Sequence, residues 1–78
     1  MPRITCRDLL DEGDRAARDR DFDALAHVAL VLAPRIGDPL EDRLLELARS
    51  CRAGAKTSLR TWPTLRAAVA HRIEIAGT

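Results

Sequence analysis

From Ala24 to Ala33 the chain reads Ala-Leu-Ala-His-Val-Ala-Leu-Val-Leu-Ala, nine apolar residues in ten, broken only by His27. A helix over this stretch has almost no polar face, and a helix that is apolar all round must be buried on all sides. That is a severe demand for 78 residues, because a chain this short buries only about 60% of the surface it exposes when unfolded. In a small bundle each helix is expected to keep one side in water. The surplus face, carried by His27, Leu30 or Val31 together with Ala24, therefore needs a cover, which a loop, the fourth helix or a second chain would supply. Self-association through His27, Leu30 and Val31 is one outcome this allows, and a capping loop within the monomer is the other.

The rest of the composition agrees with a helical reading. Thirteen Ala and eleven Leu dominate the apolar 46%, Val occurs three times, Phe22 and Trp62 are the only aromatics, and Asn, Gln and Tyr are missing. These are helix formers, with few of the β-branched and aromatic residues that strands prefer. The length permits one domain over residues 1–78. The first residues carry no secretory apolar run, and the longest apolar stretch is too short to cross a bilayer. With two cysteines and no targeting segment, a reducing cytoplasm is the expected location.

Four helices are punctuated in the sequence. Thr5 with Asp8 three residues on forms a capping box for a first helix over about 5–19. Asp21 caps a second from Phe22 to about Ala33, stopped by Pro34 and Gly37. Asp38, Pro39 and Glu41 supply a cap, a first-turn proline and an acidic third position for a helix over about 39–53, which Gly54 ends. Residues 54–61 read as a loop, and Pro63 as the first turn of a fourth helix over about 62–76, closing before Gly77. Short connections favour antiparallel neighbours, so the expected fold is an all-α, up-down-up-down four-helix bundle or two packed helical hairpins.

Charge is unevenly spread. Residues 1–48 hold seven Arg against eleven Asp and Glu, whereas residues 49–78 hold six basic residues against Glu74 alone. Either the basic fourth helix lies beside the acidic first and third helices, or the basic segment meets an anionic partner. The second alternative selects Arg52, Lys56, Arg60 and Arg66 as partner-binding residues, with Arg49 nearby. Trp62 joins them: preceding Pro63, it is biased to an extended backbone at a helix entrance, where its ring either caps the core or projects as an anchor.

Two local resemblances bear on function. Glu46-Leu47-Ala48-Arg49, Ala53-Gly54 and Ser58-Leu59-Arg60-Thr61-Trp62 resemble the helix-turn-helix of mercury-resistance-type regulators over 17 residues. The resemblance implies DNA binding, with Arg60 contacting base or phosphate and Trp62 packing behind it. The interval before Gly54 is a residue or two longer than that pattern, and Pro63 falls where the recognition helix should continue. Gly13, Ala17, Asp21-Phe22 and residues 29–34 resemble one tetratricopeptide repeat, a helical hairpin used in peptide-binding arrays. The following hairpin does not repeat it, and such arrays need about three repeats.

Reactive side chains are few. Cys6 and Cys51 fall at opposite ends of such a bundle, about 20 Å apart at 1.5 Å per residue, too far for a disulfide. No CxxC or HxxxH nucleus suggests a metal. Cys6 and His71 share an end, but no orienting third group accompanies them. Neither an enzyme nor a cofactor is expected. The leading expectation is a small non-catalytic protein-interaction module, an adaptor, inhibitor or regulatory subunit; the alternative is a nucleic-acid-binding regulator using residues 49–66.

Overall fold

The structure, a computed structural model, describes residues 5–75 and contains four helices: α1 (Cys6–Arg18), α2 (Phe22–Ile36), α3 (Leu40–Arg52) and α4 (Thr57–Ile75). The expected closure before Gly77 lies outside the described residues. Trp62 meets Gly13, and Arg66 meets Asp14 and Asp11. Arg7 and Leu10 share a hollow with Ala70 and Ile73. Residue numbers thus fall along α4 as they rise along α1, and the two run antiparallel. Likewise, the start of α1 shares a cleft with the ends of α2 and α4. Three- and four-residue links complete an up-down-up-down bundle.

The four axes do not form a square. Helices α2 and α4 each touch all three of the others, while α1 and α3 flank them without approaching each other among the described residues. This rhombus makes a body of 34 × 30 × 17 Å, two helices thick. It also explains the apolar α2, because Leu25, Ala29, Leu32 and Ala33 are completely buried. Ala24, Leu30 and Val31 pack against the core with part of their surface, and His27 is exposed. Most of the surplus face is therefore covered by the neighbouring helices themselves.

Local chemistry sets most helix ends. The Thr5 hydroxyl accepts from the Asp8 N–H at 3.1 Å, and the Asp8 carboxylate accepts from the Thr5 N–H at 3.0 Å. The Thr5 backbone N–H and then its hydroxyl hold the Asp8 carboxyl below its ordinary range. The cap's contribution is thus present above that range and fades as pH falls through the depressed value. Asp21 caps α2 by accepting from the Ala24 N–H. Helices α1 and α3 both end in Schellman motifs: Asp21 N–H bonds Ala16 O and Arg20 N–H bonds Ala17 O, and Ala55 and Gly54 repeat the pattern on Ser50 and Cys51. The left-handed residue is Gly54 at φ 70° in one and Arg20 at φ 57° in the other.

The two prolines inside helices depart from expectation. Pro34 does not stop α2, which continues to Ile36, and Pro63 lies seven residues into α4 instead of opening it. Each removes one backbone hydrogen bond. Tertiary contacts on both sides hold the helices through them: Ala33 is completely buried, and so are Ser58, Trp62, Leu65 and Val69 around Pro63 to within a few per cent. Asp38 makes no cap for α3; Pro39 occupies the N-cap position, with no side-chain hydrogen bond.

At Gly13 the Trp62 ring of α4 lies directly against the backbone of α1. A Cβ placed there would come within 3.0 Å of Trp62 Cε2 and nearer still to Cζ2 and Cη2. In an isolated helix Gly13→Ala would stabilise by about 1 kcal/mol; here the methyl enters the indole ring, and overpacking costs about 1–3 kcal/mol. The variant is expected to melt several degrees below wild type, as read by thermal circular dichroism. A higher melting temperature would show that the ring does not occupy this seat.

Candidate interaction surfaces

Trp62, the expected centre of a contact surface, is only 1% exposed. It does not project. Its indole N–H donates to Asp14 Oδ1 at 2.8 Å. Arg66, one turn further along α4, donates from Nε to Asp14 Oδ2 at 2.8 Å and Oδ1 at 3.0 Å, and its guanidinium also approaches Asp11 at 3.8 Å. One carboxylate on α1 thus satisfies a buried aromatic donor and a half-buried cation together. Trp62 and Arg66 are consequently joined to the fold, in the manner of a basic fourth helix lying beside an acidic first helix. The signal available in the sequence was the Gly13-Asp14 pair: a helical glycine admits a ring, and the adjoining acid receives its donor.

The remaining expected residues do stand in solvent. Arg49 and Arg52 occupy the last turn of α3, Lys56 the link, and Arg60 the start of α4; all are exposed. None of these four side chains has an ion-pair or hydrogen-bond partner among the described residues, in contrast to Arg66. The Schellman turn at Gly54 folds α4 back on α3 and so gathers these four cations at one corner of the bundle. Along α4 the exposed positions continue with Thr61, Thr64, Ala67 and His71, and no carboxylate appears before Glu74.

The outer face of α2 forms a second surface. His27 is exposed there, flanked by the half-buried Leu30 and Val31. A third lies at the end of the bundle where α1 begins and α2 and α4 finish, a cleft of about 580 Å³ bordered by Cys6, Arg7, Ile36 and Arg72 among others. Sequence reasoning did not find this cleft, because its lining comes from residues separated by up to 68 positions.

The cysteines differ. Both are free thiols; Cys6 is partly exposed and Cys51 is buried against the core. Burial pushes the Cys51 thiol above its ordinary value, with the Ser58 hydroxyl opposing that rise. The Ser58 hydroxyl is itself buried and donates to Ala55 O at 2.6 Å, pinning the link to the first turn of α4. His71 is exposed and does not border the cleft that contains Cys6. Among the described residues no three His, Cys, Asp or Glu side chains gather as a metal ion requires, and no helix is long and apolar enough to cross a membrane.

Comparison with known proteins adds no further constraint: the chain matches no family model, no curated protein and no solved structure.

Proposed function

We propose that this protein is a non-catalytic helical interaction module whose contact surface is the basic α3–α4 corner, and whose partner is an acidic protein surface. The observation that carries the reading is the contrast between Arg66, neutralised by Asp14 and Asp11, and Arg49, Arg52, Lys56 and Arg60, which meet no carboxylate among the described residues. Unpaired exposed cations repel one another modestly, and an anionic partner relieves that repulsion while steering encounter. The two free thiols suit a reducing, cytoplasmic setting.

A nucleic-acid partner is the second reading, and one observation favours it. Helix α4 runs unbroken through Pro63 and offers Arg60, Thr61, Thr64 and Ala67 on an exposed face. Small side chains and arginine are what a helix entering a groove presents. Against it stands the acidity of the neighbouring surface. Asp11, Glu12, Asp19, Asp21, Asp23, Asp42 and Glu46 are all exposed, and the twelve Asp and Glu of the chain hold its net charge to +1. A long polyanion would meet that acidic field, whereas a compact acidic protein can dock at the corner alone.

Two outcomes separate the readings. Arg52→Glu with Arg60→Glu should reduce capture of acidic proteins from the native host's lysate by about tenfold or more, leaving helicity intact because both residues are exposed. Equal capture by wild type and variant would contradict the corner. If duplex DNA is the partner, four phosphate contacts predict roughly a hundredfold loss of affinity between 50 and 200 mM salt.

The half-buried apolar surface of Leu30 and Val31 beside His27 supports a further proposal, that two copies associate through α2. Light scattering should then give twice 8.6 kDa. Val31→Glu should return the mass to that of one chain. A folded wild-type protein of single mass at high concentration would refute the association.

A further inference from the structure

The cleft at the end of the bundle has a composition unlike the rest of the surface. Arg7 from α1, Arg35 from α2 and Arg72 from α4 border it, Ile36 and Ile73 give it apolar walls, and no Asp or Glu among the described residues lines it. Its volume of about 580 Å³ lies within the range of sites that hold drug-sized ligands. The hollow beside it shows that this arrangement is not the general condition of the surface. That smaller space, about 240 Å³, sets Arg7 and Arg66 against Asp11 and Glu74, so its charges largely cancel.

Three helices each bring a cation to one apolar opening. Arg7 and Arg72 have no ion pair among the described residues. The occupant that matches both halves of this chemistry carries an apolar body and one anionic end. A neutral apolar molecule would leave the Arg7 and Arg72 guanidinium groups without an anionic partner, and a small hydrophilic anion would leave the isoleucine walls wet. Arginine suits the anionic end because its planar donors meet both oxygens of a carboxylate. We propose that the cleft is a binding site for a single-chain amphipathic carboxylate, with its alkyl body against Ile36 and Ile73 and its carboxylate held by Arg7 and Arg72.

Cys6 supplies a reporter, since it borders the cleft while Cys51 is buried. The experiment uses the full chain with decanoate, decanol and acetate, following calorimetric binding and the rate at which a thiol reagent modifies Cys6. Decanoate should bind and slow modification. Decanol and acetate should each bind at least about tenfold more weakly, a difference of about 1.4 kcal/mol and within the worth of one charge-assisted hydrogen bond. Arg7→Ala with Arg72→Ala should weaken decanoate by a similar factor. If that pair of changes lowers helicity, Arg72→Gln alone should still weaken it about threefold, within the range for losing one exposed charge contact. Absence of decanoate binding, parity with decanol or acetate, or unchanged affinity in the folded variants would overturn the proposal.

Discussion

The seat of Trp62 on α1 is the contact on which the arrangement of the bundle depends. Helices α1 and α3 do not touch among the described residues, so α1 is placed by α2 and α4 alone. Against α4 that placement is made by an indole ring lying over Gly13 and by one carboxylate, Asp14, which accepts from the indole N–H and the Arg66 guanidinium. Ring and carboxylate act together. The missing Cβ lets the backbones approach, and the approach brings Asp14 within reach of a donor that would otherwise be buried without a partner.

This contact also decides which charges remain for function. By drawing Trp62 inward and Arg66 onto α1, it removes two members of the basic segment from the surface and leaves Arg49, Arg52, Lys56 and Arg60 at the α3–α4 corner. The same antiparallel pairing carries Arg72 to the start of α1, where it joins Arg7 beside Ile73. Corner and cleft lie at opposite ends of α4. A partner on one therefore need not displace a ligand from the other.

How far the sequence reveals this follows from the range of the interactions involved. The Thr5–Asp8 capping box, the Asp21 cap and the Gly54 turn act within three to five residues, and each is legible from spacing alone. The apolar run of α2 correctly demands burial on several sides; that α4 and the two flanking helices supply most of it depends on the rhombic packing, which no local pattern encodes. Pro34 and Pro63 mislead for a related reason, since local propensity places them at helix ends while buried neighbours carry the helices past them. Trp62 is ambiguous by itself, because its partner Asp14 lies 48 positions away. The exposed cations of the corner are legible as a charge imbalance, whereas the cleft joins three distant segments and leaves no trace in any one of them.

A double-mutant cycle on Trp62→Phe and Asp14→Ala tests the central claim most directly, with urea unfolding followed by far-ultraviolet circular dichroism. Phenylalanine keeps an aromatic ring but has no donor for Asp14. If the indole N–H and the carboxylate are coupled as described, removing Asp14 should cost about 1 kcal/mol less in the Trp62→Phe background than in wild type. Additivity within about 0.3 kcal/mol, with Trp62→Phe leaving stability unchanged, would show that Trp62 is not locked to α1.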